Sequence, residues 1–166
     1  SVLCETGEKI PSKSEINENT SIGIDLGLKD FIILSNGEKV SNPHFYKQAL
    51  KQIQHLSRGL ARKVKGSTHY NKKRIQLAKA HEKVSNQRSD FLHKLSTEIT
   101  NRYETICVEN LNVKGMVKNK HLSQSISDVS WSKFINMIKY KSEWKGVNLL
   151  QIGRFEASSK TCSHCN

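Results

Sequence analysis

Between Ser21 and Leu26 the chain reads SIGIDL, with Ile22, Ile24 and Leu26 apolar at every second position. That period predicts a strand. It reads as a buried strand with an acid in it, because Asp25 stands between two of its apolar residues. An ionised carboxylate there is costly unless something compensates it. A second strand is predicted over Asp30 to Leu34 and a third over Glu38 to Ser41. Asn36-Gly37 lies between them, and Asn-Gly favours the positive backbone angles of a tight hairpin turn, so these two strands should pair antiparallel. The period then changes. Phe45, Ala49, Ile53, Leu56, Leu60 and Val64 recur every three or four residues, which is one face of a helix. After a turn at Lys65 to His69, a second long helix is expected from about Tyr70 to Asn101, with Phe91, Leu92, Leu95 and Ile99 at helical spacing. Two long helices joined by a short turn predict an antiparallel hairpin projecting from the core. A strand with the apolar run Ile106 to Val108 ends at Glu109, and a Lys- and Ser-rich loop covers Val113 to Ser127. Trp131, Phe134, Ile135 and Ile138 mark a last helix ending near Gly146, and Val147 to Gly153 is the last strand.

Three strands joined by short turns, followed by helical crossovers to further strands, give an α/β fold: a mixed sheet with helices packed on it. This is the strand order of a ribonuclease H-like fold. In that arrangement the strand ending at Glu109 lies beside the first strand and parallel to it. Asp25 and Glu109 would then sit near the carboxyl ends of neighbouring strands, where ligands of open α/β sheets tend to bind. Strands are about 4.8 Å apart, and two carboxylates at that spacing repel unless a cation lies between them. Mg²⁺ (or Mn²⁺) suits such a site, being a hard ion that takes carboxylate oxygens and keeps several waters. Gly23 and Gly27 flank Asp25 by alternation and are expected to leave room for a substrate backbone. Taken singly, each acid has a plainer explanation as a turn-bonding residue or the polar end of a strand. The pair is what argues for a metal.

Charge adds a partner class. The formal net charge is +12 and the pI about 9.6. From Lys47 to Arg88 there are twelve Lys and Arg against the single acid Glu82. Polyanions are the favoured partners, nucleic acid before anionic membrane. Arg58, Arg62, Lys63, Lys65, Lys72, Lys73 and Arg74 cluster about the helix turn and could neutralise phosphates. A basic helix is also commonly just a solvated face. His69 and Tyr70 could stack on a base or be ordinary turn residues, and Trp131, Phe134 and Trp144 read as core. No apolar run approaches the roughly 20 residues of a membrane span.

Of the four cysteines, Cys107 lies in an apolar run and reads as an inert buried thiol. Nothing resembles a secreted disulfide framework, so a reducing cytoplasm is expected. Cys162-Ser-His-Cys165 has the spacing that lets one turn present two thiolates to Zn²⁺. Two ligands do not close a tetrahedral site, and the tail should order only with metal. A redox pair would instead sit in a strand-to-helix setting near the start of a domain.

The segments IGIDLGLKDF, ICVENLNVKGM and FEASSKTCSHCN, in that order, resemble the TnpB family. These are OrfB-type transposon-encoded proteins related to type V CRISPR nucleases, and the resemblance covers roughly Ser21 to Asn166. It implies a RuvC-like DNA endonuclease domain directed by a guide RNA from the transposon end. Asp25 matches the family's first catalytic acid and Glu109 its second. The basic helical pair matches an insert between them, and Cys162 and Cys165 match the first half of a zinc ribbon. The implied organisation is residues 1–20 as the tail of a preceding domain or a linker, 21–153 as the nuclease domain with a basic insert over 45–101, and 154–166 as half a ribbon. A second Cys pair and a third catalytic Asp would follow Asn166. Asp128 and Glu156 do not match the third acid, so a truncated, inactive fragment of an active parent is expected. Two rivals stand beside this reading. GIDLG also resembles the first phosphate loop of actin-like ATPases and sugar kinases, but Leu28-Lys29-Asp30 replaces their small hydroxyl residues. A non-catalytic nucleic-acid-binding remnant is the more serious alternative.

Overall fold

Strict alternation decides the first strand. In the computed structural model, which describes residues 7, 9–13, 15–109 and 130–153, Ile22, Ile24 and Leu26 of β1 (Ser21–Leu26) point into the core. Ser21, Gly23 and Asp25 point the other way, and Asp25 is exposed. The strand is therefore half-buried rather than buried, and Asp25 bears no burial cost of the kind its apolar neighbours suggested. A single 3-10 turn, Glu18–Thr20, leads into it.

Among the described residues seven further elements follow in chain order: β2 (Asp30–Leu34), β3 (Lys39–Ser41), α1 (Phe45–Ala61), α2 (Thr68–Arg102), β4 (Thr105–Glu109), α3 (Trp131–Lys145) and β5 (Asn148–Ile152). The sheet order is β3-β2-β1-β4-β5. β1–β2 and β2–β3 are antiparallel, whereas β1–β4 and β4–β5 are parallel. The result is a mixed five-stranded sheet with helices, compatible with a ribonuclease H-like fold. The β2–β3 connection departs from the expected turn. Only Gly37 takes a positive φ, 89°, while the Asn36 side chain accepts from the Glu38 N–H at 3.0 Å. Leu34 O accepts from Gly37 N–H and Leu34 N–H donates to Glu38 O, both at 2.9 Å. That loop is one residue longer than a two-residue turn, and one glycine satisfies it.

One side of the sheet, through Ile22, Ile24, Leu34, Ile106 and Val108, packs with Leu92, Leu95 and Ile99 of α2 and with Trp131, Phe134 and Ile138 of α3. Phe31 of β2 meets Phe91 of α2 and Phe134 of α3 edge-to-face, each at 5.1 Å, and Phe91 in turn meets Phe45 of α1 at 6.1 Å. Each such pair adds about 0.5–1.5 kcal/mol beyond its burial. Trp131 and Phe134 are core as expected, but Trp144 is 63% exposed and meets Tyr140 in a tilted ring contact at 4.7 Å. Its position past the last core residues of α3 puts it outside the packed stripe.

The α2–α3 contact is also polar. Buried Lys141 donates to His93 O (2.8 Å), Ser96 Oγ (2.7 Å) and Thr97 Oγ1 (2.6 Å). Lys145 donates to Thr100 Oγ1 at 3.0 Å and to Asn101 Oδ1. Burial pushes both amines below the ordinary lysine range, and the nearby Lys145 charge lowers Lys141 further.

α1 and α2 form the expected antiparallel hairpin. Phe45 at the start of α1 meets Phe91, and Gly59 near its end lies against the Lys73 stem. α1 ends at Ala61, so Val64 falls in the turn and is 79% exposed rather than continuing the apolar stripe. Ser67 caps α2, its Oγ accepting from Tyr70 N–H at 3.1 Å. From Thr68 to Phe91 the helix runs about 35 Å at 1.5 Å per residue, which carries the hairpin tip well away from the sheet.

Candidate metal centre

The parallel register of β1 and β4 pairs Ile22 with Ile106, Gly23 with Cys107 and Ile24 with Val108. Continued by one residue, that register puts Asp25 next to Glu109, and both line the same groove. On the flanks Asp25 pairs with Ile33 of β2 and Glu109 with Ile152 of β5. A row Ile33–Asp25–Glu109–Ile152 therefore crosses the sheet, on the face turned away from Ile24 and Val108. Asp25 and Glu109 line one open groove of about 380 Å³. Adjacent in-register residues of a parallel pair share a face and sit about 4.8 Å apart.

The groove suits a cation. No Lys or Arg stands among its described lining residues, and neither acid has a hydrogen-bond or ion-pair partner among the described residues. Asp25 is exposed and Glu109 half-exposed, so solvent reaches both. Carboxylate oxygens of this kind are the donors Mg²⁺ or Mn²⁺ prefers. Among the described residues no cluster of three or more His, Cys, Asp or Glu is arranged to hold a metal unaided.

Two expectations about the groove change. Gly27 does not make room for a substrate: a Cβ there would lie 2.6 Å from Asp30 O, so this glycine serves the close β1–β2 turn. Gly23 is covered by Ser35, whose Oγ accepts from its N–H at 3.1 Å. Cys107 is half-exposed and lines the groove beside the acids. Its place two residues before Glu109, hence on the same strand face, was the available signal; the apolar run hid it.

The basic cluster is at the hairpin tip. Arg58, Arg62, Lys63, Lys65, Lys72 and Arg74 are exposed, while Lys73 is half-buried against Gly59. None of the seven is ion-paired among the described residues. His69 is exposed and Tyr70 half-buried. The structure does not bring this cluster to the acid groove, since the length of α2 separates them. Cys162, Cys165, Asp128, Glu156 and the Val113 to Ser127 loop lie outside the described residues. No helix among the described residues is long and apolar enough to cross a membrane.

A family model described as "Probable transposase", OrfB_IS605, matches residues 1–120 and so takes in both acids and the basic hairpin. The chain belongs to the OrfB_IS605 family. A second model, described as "Cas12f1-like, TNB domain", matches residues 131–166 of this OrfB_IS605 chain. Curated relatives agree. A Streptomyces pristinaespiralis protein named "Putative RNA-guided DNA endonuclease" is 36% identical over 99% of this chain and 40% of its own length. An Escherichia coli K12 protein of the same description, InsQ, is 27% identical over 87% of this chain and 39% of its own. A TnpB-like protein of Acanthamoeba polyphaga mimivirus is 25% identical over 93% and 32% respectively. The chain thus spans about 40% of the length of the Streptomyces relative it matches.

Proposed function

We propose that residues 21–153 are the core of a RuvC-like, metal-dependent DNA endonuclease domain in an RNA-guided, transposon-associated protein. The observation that carries this reading is the adjacency of Asp25 and Glu109 in one groove on neighbouring parallel strands. In it, Asp25 and Glu109 would hold Mg²⁺ or Mn²⁺ in the groove that a phosphodiester enters. Bound there, divalent ions would activate a water and neutralise charge on the leaving oxygen. The carboxylates fix where the phosphate sits, and the openness of the groove lets a strand of nucleic acid enter.

DNA and a guide RNA are the proposed partners, in keeping with the names of the relatives. The insert over 45–101 grips phosphates through Arg58, Arg62, Lys63, Lys65, Lys72, Lys73 and Arg74. Cys162 and Cys165 are proposed as two thiolate ligands of Zn²⁺ within a ribbon over 154–166. Among the described residues only two carboxylates line the groove, and a metal pair held by these alone would be under-coordinated by protein and cut poorly. The same shortage favours a second reading, a non-catalytic nucleic-acid binder.

The test uses the longer parent protein with its guide RNA, target DNA and Mg²⁺. Asp25→Ala or Glu109→Ala should slow cleavage by about 10³-fold, the rate equivalent of the several kcal/mol a bound ion supplies. Cleavage at the parental rate in either variant would contradict the assignment. Tight binding by the parent with no metal-dependent cleavage would favour the binder.

A further inference from the structure

Two cavities meet at Glu109. The first is the acid groove. The second, about 180 Å³, lies on the helix side of the sheet, between the first turns of α3 and the carboxyl ends of β1 and β5. Glu109, the last residue of β4, forms part of both rims. The walls of the second cavity are of two kinds. Leu26, Trp131 and Ile135 are apolar. Ser132, Asn136 and Gln151 are polar and exposed, and Gln151 comes from β5 opposite Val108. Ser132, Ile135 and Asn136 share a helix face by their spacing of three and four.

Trp131 adds an independent sign. It is 2% exposed, yet its indole N–H has no hydrogen-bond partner among the described residues. Buried indole donors are ordinarily matched by an acceptor, and an orphan next to a cavity calls for one from a ligand or a water.

We propose that this second cavity receives the base of the nucleotide next to the phosphate held over Asp25 and Glu109. The proposal rests on the nuclease reading above and adds the substrate contact that positions the strand. A nucleobase has two apolar faces and one polar edge. Leu26, Ile135 and Trp131 suit the faces. Asn136 and Gln151 each offer a carbonyl and an amide, the donor–acceptor pair that matches a base edge. A strand crossing the shared Glu109 rim would bring its phosphate to one cavity and the adjoining base to the other.

The experiment has two arms. The first uses the chain carrying Trp144→Phe. The sequence has two tryptophans, so Trp131 becomes the only tryptophan and is excited selectively over the tyrosines. Titration with short single-stranded DNA should quench its emission, and Asn136→Ala with Gln151→Ala should raise the Kd about tenfold, the loss expected for one bidentate amide–base contact. The second arm uses the guide-loaded parent protein on target DNA bearing an abasic site beside the cut phosphate. The parental enzyme should cut it about tenfold more slowly than intact DNA, and the double variant should cut intact DNA at that same reduced rate. Absence of Trp131 quenching, or equal cutting of abasic and intact DNA by the parental enzyme, overturns the base pocket even where metal-dependent cleavage is present. Quenching that depends on Asn136 and Gln151 without any metal-dependent cleavage keeps the pocket and overturns the nuclease reading instead.

Discussion

The two halves of α2 are one continuous helix built under two different rules. From Leu92 to Thr100 it buries Leu92, Leu95, Ser96, Ile99 and Thr100 against the sheet and α3. From Thr68 to Lys83 it buries nothing, and it carries Lys72, Lys73, Arg74, Lys79 and Lys83 against one acid, Glu82. Among the described residues its buried support on that side of the molecule comes from Val84 of α2 and Ile53 and Leu56 of α1. The lower half packs in the core with Ile22 and Ile24 of β1 and Ile106 and Val108 of β4. The upper half depends on α1 for its packing and presents cations to solvent. A helix can therefore be a structural beam at one end and a solvent-exposed cationic arm at the other, provided its burial is confined to one end.

The largest effect expected from breaking this contrast lies in the lower half. Phe31→Ala removes the ring that joins Phe91 to Phe134, and chemical denaturation should show a loss of about 3–5 kcal/mol. Lys141→Met strands three acceptors on α2 and should cost about 1–3 kcal/mol. It should also change the pH profile. The folded protein holds the Lys141 proton less tightly than the unfolded chain does. Stability therefore rises as pH climbs from the lowered folded value towards the ordinary lysine range, and the variant should lose that rise.

In the upper half, stability and binding should separate. Replacing Arg58, Arg62, Lys72 and Arg74 together by Ala should leave the melting temperature unchanged. The slope of log affinity for duplex DNA against log salt should fall by about 3.6 if all four meet phosphates. An unchanged slope would return the arm to the status of a merely solvated face. The smallest effect is at the sheet edge. The Arg102 hydrogen bond, 2.7 Å to Glu38, holds the Glu38 carboxyl below its ordinary range. That contribution is present above the ordinary glutamate pKa and is lost as pH falls through the lowered folded value, so Glu38→Gln should flatten acid unfolding slightly.

Much of this architecture was legible because it is periodic. Alternation in β1, the three-and-four spacing in α1, and the run ending at Glu109 each specify an element without reference to the rest of the chain. The order of those elements was enough to anticipate Glu109 beside Asp25. The errors came where local pattern and neighbourhood disagree. Val64 continued an apolar stripe but had no helix left to continue. Gly27 looked like space and is occupied by the Asp30 carbonyl. Trp144 had the composition of core and the position of surface, and Cys107 had an apolar setting on a face the sheet leaves open. None of these is decided by the residue or its flanks, because exposure depends on what other segments pack against it.

The sequence by itself determined which side chains alternate, which recur on a helix face, where the cations concentrate, and that two acids close separate strands. These follow from backbone geometry, which repeats every two or about 3.6 residues wherever the chain lies. Only the tertiary structure decided that Asp25 is exposed, that Glu109 borders two cavities, and that Lys141 is buried among hydroxyls and a carbonyl. Those outcomes depend on contacts between residues tens of positions apart, and such contacts form only once strands pair and helices dock.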